Sequence, residues 1–232
     1  MSPMRITEPS FVVPGSGTVD GLLMVPANAR ALYVLAHGAG APMRHAFMQS
    51  MSEALFARDI GTLRYNFPYT QAGRRSPDRT HVLEATVRAA IDAAVDLAGG
   101  LPILAGGKSM GGRMTSQALA GVPDDRVQGV VFLGFPLHGA GKPPSTERAA
   151  HLANVAQPML FVQGTRDSLA DLTLIRGVVE GLGARASLHV VEDGDHGFHV
   201  RKKSGRDDAA VIEEIADAVS VWIGDVVNQD AK

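Results

Sequence analysis

Residues 31–36, Ala-Leu-Tyr-Val-Leu-Ala, carry no charged or amide side chain and stop at His37-Gly38. A strand with one wet face alternates polar and apolar residues. A strand that is apolar throughout is covered on both faces, as in a parallel sheet layered between helices. The rest of the chain repeats one pattern of strand, glycine-rich turn and helix. Phe47, Met48, Met51, Leu55 and Arg58 fall at helical spacing, and residues 60–67 read as the next strand. Residues 81–98 predict an amphipathic helix with Leu83, Val87, Ala90, Ile91, Ala94 and Leu97 on one stripe, closed by Gly99-Gly100. Buried strands are expected over 101–105, 127–133, 158–163 and 186–191. Helices are expected over 109–120, 169–182 and about 207–227, with a loop and short helix in 134–155. A hairpin around 11–13 and 21–26, turning at Gly15 and Gly17, opens the chain. This alternation predicts an α/β fold, a mainly parallel twisted sheet with helices on both faces. One domain over 1–232 is expected, and the 134–155 connection is too short for a large lid.

Composition narrows the chemistry. The chain has no cysteine, which removes disulfides, thiolate metal sites, redox pairs and a cysteine nucleophile. The formal charge is −2, which argues against a dedicated nucleic-acid binder. No apolar run reaches membrane-spanning length. The polar opening, residues 1–10, lacks the apolar core of a signal peptide. A cytoplasmic setting is expected.

In open α/β sheets, ligands gather at the carboxyl ends of the strands. There the chain carries Gly107-Lys108-Ser109-Met110-Gly111, a GxSxG pattern between a predicted strand and a predicted helix. That turn strains the serine backbone and exposes its Oγ, as a nucleophile requires. A phosphate loop would need glycine where Pro102 stands. A serine hydroxyl needs a base, and the base needs an orienting carboxylate; in this fold the order is Ser, acid, His. Asp167 and His196 follow successive strands in that order. Asp167 has a second reading as the N-cap of helix 169–182, and Asp193 and Asp195 are rival acids. His199 competes with His196, and Asp193, Asp195, His196 and His199 together form a conceivable metal cluster; the triad is preferred, with no metal. The oxyanion donors are expected at the N–H of Met110 and of Ala39, with Gly40 the alternative, and His37 is expected to hold that loop in shape. Gly40, Asn66, Phe67 and Phe135 are candidate substrate-pocket residues. Arg74, Arg75, Arg79, Arg113 and Lys142 read better as surface or cap charges than as an anion site.

Residues 35–41 (Leu-Ala-His-Gly-Ala-Gly-Ala), 66–69 (Asn-Phe-Pro-Tyr), 106–113 (Gly-Gly-Lys-Ser-Met-Gly-Gly-Arg), 135–138 (Phe-Pro-Leu-His) and 161–167 (Phe-Val-Gln-Gly-Thr-Arg-Asp) occur in this order. The set resembles the small α/β-hydrolases related to dienelactone hydrolases. Within them it is similar to bacterial relatives of testis-expressed protein thirty and of the third subunit of the NSL acetyltransferase complex. The resemblance implies Ser109 as nucleophile, Asp167 as acid and His196 as base, with no cofactor. Dienelactone hydrolases proper use a cysteine nucleophile, where this chain has Ser109. The function expected is cleavage of a small ester, lactone or thioester acyl substrate. The alternative is a non-catalytic interaction module on the same fold, the role of some eukaryotic relatives.

Overall fold

The computed structural model describes residues 4–229; the start of the polar opening segment, residues 1–3, lies outside the described residues. Among the described residues nine strands form one sheet. The first three are β1 (Arg5–Thr7), β2 (Ser10–Val13) and β3 (Gly17–Val25), all antiparallel, with β1 and β2 both pairing with β3. The hairpin thus forms where expected, while β1 escapes a pattern-based reading because it is three residues of mixed polarity.

From there the chain alternates. It runs through β4 (Ala31–Ala36), α1 (Ala46–Phe56), β5 (Ile60–Tyr65), the single-turn α2 (Pro68–Gln71) and α3 (Thr80–Ala98). Next come β6 (Ile103–Lys108), α4 (Met110–Gly121), β7 (Val127–Leu133), β8 (Met159–Gly164), α5 (Leu172–Leu182), β9 (Ala186–Val191) and α6 (Asp208–Gln229). A 3₁₀ helix, Glu147–Asn154, lies between β7 and β8. The sheet order is β1-β3-β5-β4-β6-β7-β8-β9, parallel from β5 to β9.

The apolar run in β4 explains the layering. Leu32, Val34 and Ala36 point into a core shared with α3 and α4. Ala31, Tyr33 and Leu35 point into a second core shared with α1 and α6. Period-two geometry sends alternate side chains to opposite faces, so both faces need cover. Among the described residues, no helix is long and apolar enough to cross a membrane.

Two boundaries depart from the sequence reading in ways that matter for the site. β6 runs to Lys108 rather than ending near Ala105, because Gly106 and Gly107 are strand residues and not a turn. A Cβ built on Gly107 would lie 2.2 Å from the carbonyl oxygen of Ala36. Only glycine allows β4 and β6 to approach this closely. β5 stops at Tyr65, so Phe67 belongs to the start of α2.

β4 is also where the strand order reverses. The chain leaves β4 for β5 on one side and later reaches β6 on the other. The loops after β4 and β6 therefore diverge and leave a crevice at their carboxyl ends, the usual ligand position of open α/β sheets.

Candidate active site

Ser109 sits in that crevice as the N-cap of α4, with φ 51° and ψ −114°. Positive φ is unfavourable for a residue with a Cβ and persists only where surroundings enforce it. Here Gly111 enforces it: a Cβ at that position would come within 2.5 Å of the Ala36 carbonyl oxygen. The first turn of α4 therefore packs directly on the end of β4. The Ser109 N–H is anchored on the carbonyl of Leu133 at 3.0 Å, so strand β7 braces the turn from the other side.

Three side chains meet there. His196 Nε2 lies 2.8 Å from Ser109 Oγ, and His196 Nδ1 lies 2.7 Å from Asp167 Oδ2. The carboxylate accepts from Nδ1, which fixes the neutral tautomer with its Nε2 lone pair facing the serine hydroxyl. Asp167 is held as firmly as the histidine it orients. Oδ1 accepts the Leu169 N–H at 2.7 Å and Oδ2 accepts the Gln163 amide at 2.6 Å. Its side chain is 1% exposed against 23% for His196, so the carboxylate is dry and the imidazole reaches the crevice.

The rival residues have partners of their own. Asp171, not Asp167, caps α5, accepting from the N–H groups of Thr173 and Leu174 at 2.8 and 3.3 Å. Asp193 is occupied by Arg201, through its guanidinium and its backbone N–H. Those contacts hold its carboxyl down at about 2. Asp195 Oδ1 accepts from the N–H groups of Gly197 and His199 and so builds the loop that carries His196. His199 pairs with Asp208 at 2.6 Å. Because each of these groups faces its own partner, the four do not converge. Among the described residues no cluster of three or more acidic and histidine side chains is placed to hold a metal.

The loop after β4 supplies backbone donors. The Gly40 N–H donates to the Tyr69 hydroxyl at 3.3 Å. Ala39, beside Ser109 on the crevice wall, has no backbone partner for its N–H among the described residues. Met110 is the first residue of α4, and helices leave their first N–H groups without intrahelical partners. His37 supports this loop: Nδ1 lies 2.8 Å from the Gly38 carbonyl, and Nε2 accepts the Phe67 N–H at 3.2 Å. Burial pushes the His37 pKa down to about 4, which keeps the ring neutral, as an acceptor at Nε2 must be.

A cavity of about 790 Å³ opens beside Ser109 and His196 and extends between α1 and the start of α6. Its apolar walls are Ala46, Phe47 and Ala54 of α1, Ala57 just past it, Leu169, Phe198, and Ala209 and Ile212 of α6, and Glu53, Lys108, Asp208 and Glu213 line it as well. None of the four candidate pocket residues lines it. Phe67 is fully buried against His37, Tyr65 and Tyr69, and Phe135 is packed on Phe132 and Phe161. Asn66 accepts the Met43 N–H instead, and Gly40 turns away at the loop tip with φ 75°. Phe67 completes the core behind the His37 loop and Phe135 completes it beside Phe132, so neither strand-end aromatic reaches this cavity.

Of the basic residues read as surface charges, Arg74 pairs with Asp78 at 2.6 Å, and none of the five lines the cavity. Two residues at the site were not singled out from sequence. Gln163 accepts the Phe135 N–H at 3.1 Å while donating to Asp167. A buried amide ending an otherwise apolar strand was the available signal. The second is Lys108, directly before the serine, whose Nζ donates to the His196 carbonyl at 2.5 Å.

Comparison with known proteins agrees with this architecture. A family model described as an alpha/beta hydrolase domain matches residues 29–224. A dienelactone hydrolase from Anabaena variabilis superposes with a TM-score of 0.75 at 21% identity, covering 96% of this chain and 98% of that one. A serine hydrolase without lid from Xanthomonas campestris gives 0.72 at 18% identity, covering 96% and 97%. An alpha-beta serine hydrolase homologue from Coxiella burnetii gives 0.70 at 16% identity, covering 93% and 96%. At such identities the likeness speaks to the fold.

Proposed function

Because the chain belongs to the alpha/beta hydrolase domain family, we propose that it is a serine hydrolase cleaving a small carboxylic ester, lactone or thioester with an apolar acyl group. The observation that carries this reading is the unbroken hydrogen-bonded series Asp167–His196–Ser109 at the mouth of an apolar cavity. In the proposed reaction Ser109 Oγ attacks the acyl carbon as its proton passes to His196 Nε2. The N–H groups of Met110 and Ala39 hold the oxyanion, each contributing roughly 3–4 kcal/mol in the transition state. Collapse expels the alcohol or thiol, which takes the proton from Nε2. Water then attacks the acyl-serine, gives its proton to the same nitrogen, and the acid leaves as Ser109 is reprotonated. No step uses a cofactor, and we place the reaction in the cytoplasm on a small-molecule substrate without nucleic acid or membrane. The five sequence motifs also support kinship with the bacterial relatives of testis-expressed protein thirty and NSL complex subunit three.

The cavity sets the acyl preference. From His45 to Ala57 the cavity wall follows α1 for about 18 Å, at 1.5 Å per residue. Each methylene buried there is worth about 0.8 kcal/mol. Across p-nitrophenyl esters from acetate to octanoate, kcat/KM is expected to rise at least ~10-fold by hexanoate. Acetate turned over better than hexanoate would remove the cavity from the account. A non-catalytic module, the alternative reading, predicts no turnover of any ester; three aligned proton-transfer partners beside an accessible cavity are not needed for that role.

A further inference from the structure

Lys108 is a half-buried titratable group that the proton transfers above do not use. It ends β6, and its side chain lines the cavity beside the proposed acid–base pair. A Cβ placed on Gly134 would sit 3.1 Å from Lys108 Nζ, 3.6 Å from Asp167 Oδ2 and 3.6 Å from the His196 carbonyl. The ammonium thus rests on the His196 carbonyl, in a space that Asp167 Oδ2 also borders. It donates to the His196 carbonyl and lies 5.9 and 5.2 Å from the ring centres of Phe47 and Phe198, within cation–π range of each. Those two rings stack on one another at 5.8 Å. Phe198 itself holds φ 66°, so the loop after β9 is strained where it packs against this group.

We propose that Lys108 is a positioning residue: its ammonium grips the main chain of His196 and ties the loop after β9 to α1, which keeps the imidazole aligned between Asp167 and Ser109. The inference rests on the serine-hydrolase reading of that triad. An apolar side chain would fill the same space beside two aromatic rings with less difficulty. Keeping a charge there disfavours the fold: burial pulls the Lys108 pKa down to about 8, against a partial opposing pull from Asp167 and Asp195. The other titratable groups facing it are His196, through its carbonyl, and His199. A lowered lysine pKa means the unfolded chain binds the proton more tightly. The handicap is full below pH 8 and fades as the pH rises toward the ordinary lysine value of 10.5.

A residue that only braced the fold would lower stability when removed and leave kcat of the folded protein unchanged; an alignment role lowers kcat of a protein that stays folded. Lys108→Met is expected to lower kcat on p-nitrophenyl hexanoate and the rate of fluorophosphonate labelling of Ser109 by ~10- to 100-fold, with KM within about twofold of wild type. At pH 7 its Tm is expected to equal or exceed that of wild type by a few degrees, the gap narrowing between pH 8 and 10. A lowered Tm, an unfolded variant, or unchanged kcat and labelling would each overturn the inference. If the wild-type protein neither labels nor turns over esters, the serine-hydrolase reading falls first. If wild type labels and Lys108→Met labels equally fast, only the role of Lys108 falls.

Discussion

Ser109→Ala is expected to lower kcat on p-nitrophenyl hexanoate by about 10⁴- to 10⁶-fold, to the level left by backbone donors and binding alone. The size follows from the geometry: without Oγ, the lone pair His196 presents at 2.8 Å has no proton to take, and no cysteine exists to substitute. The same position stores backbone strain at φ 51°. Ser109→Gly should be equally inactive but more stable than Ser109→Ala by about 1–2 kcal/mol, since only glycine is free of the positive-φ penalty. Turnover assays and thermal melts on the two variants check both halves. Residual activity within 100-fold of wild type in Ser109→Ala would place the nucleophile elsewhere.

Gly107→Ala is expected to destabilise the protein more than any surface change, by about 4 kcal/mol or more, which for a chain of this size lowers Tm by ~10 °C. The added methyl would meet the Ala36 carbonyl oxygen at 2.2 Å, and that oxygen belongs to the core strand next to β6. No flexible side chain is available to move aside. The backbone at Gly107 also has φ 152°, which a side chain rarely adopts. Thermal denaturation by circular dichroism reads the effect directly, and a Tm within 2 °C of wild type would show that β4 and β6 can separate.

These two positions show what the sequence made visible and what it hid. Ser109 was legible because a serine flanked by glycines between strand and helix has few other physical uses. Asp167 and His196 were legible as polar residues just past apolar strands, in the order the fold requires. The function of Gly106 and Gly107 was hidden. Glycines commonly mark turns, and nothing local distinguishes a turn glycine from one that lets two strands touch. α5 starts at Leu172, three residues later than the spacing predicts, because Asp171 caps it and residues 168–170 stay in the turn.

The cavity was the least legible part. Its walls come from the loop after β4, from α1, from α6 and from the loops carrying Leu169 and Phe198, which lie up to 175 residues apart in the chain (Gly38 to Glu213). Aromatic residues at strand ends, Phe67 and Phe135, looked better suited from sequence. They pack instead behind the His37 loop and beside Phe132, where the core needed filling. Lys108 shows the same limit in a charged residue. Nothing local in the sequence places the Lys108 ammonium, which lies against the His196 carbonyl and two rings.

The proposed route requires acylation of Ser109. It is tested most directly by incubating the protein with a fluorophosphonate and measuring intact mass, followed by peptide mass spectrometry. The account predicts one phosphonyl adduct per chain, located on Ser109, absent in Ser109→Ala and greatly slowed in His196→Ala. A folded wild-type protein that gains no adduct, or gains it at another residue, would contradict it.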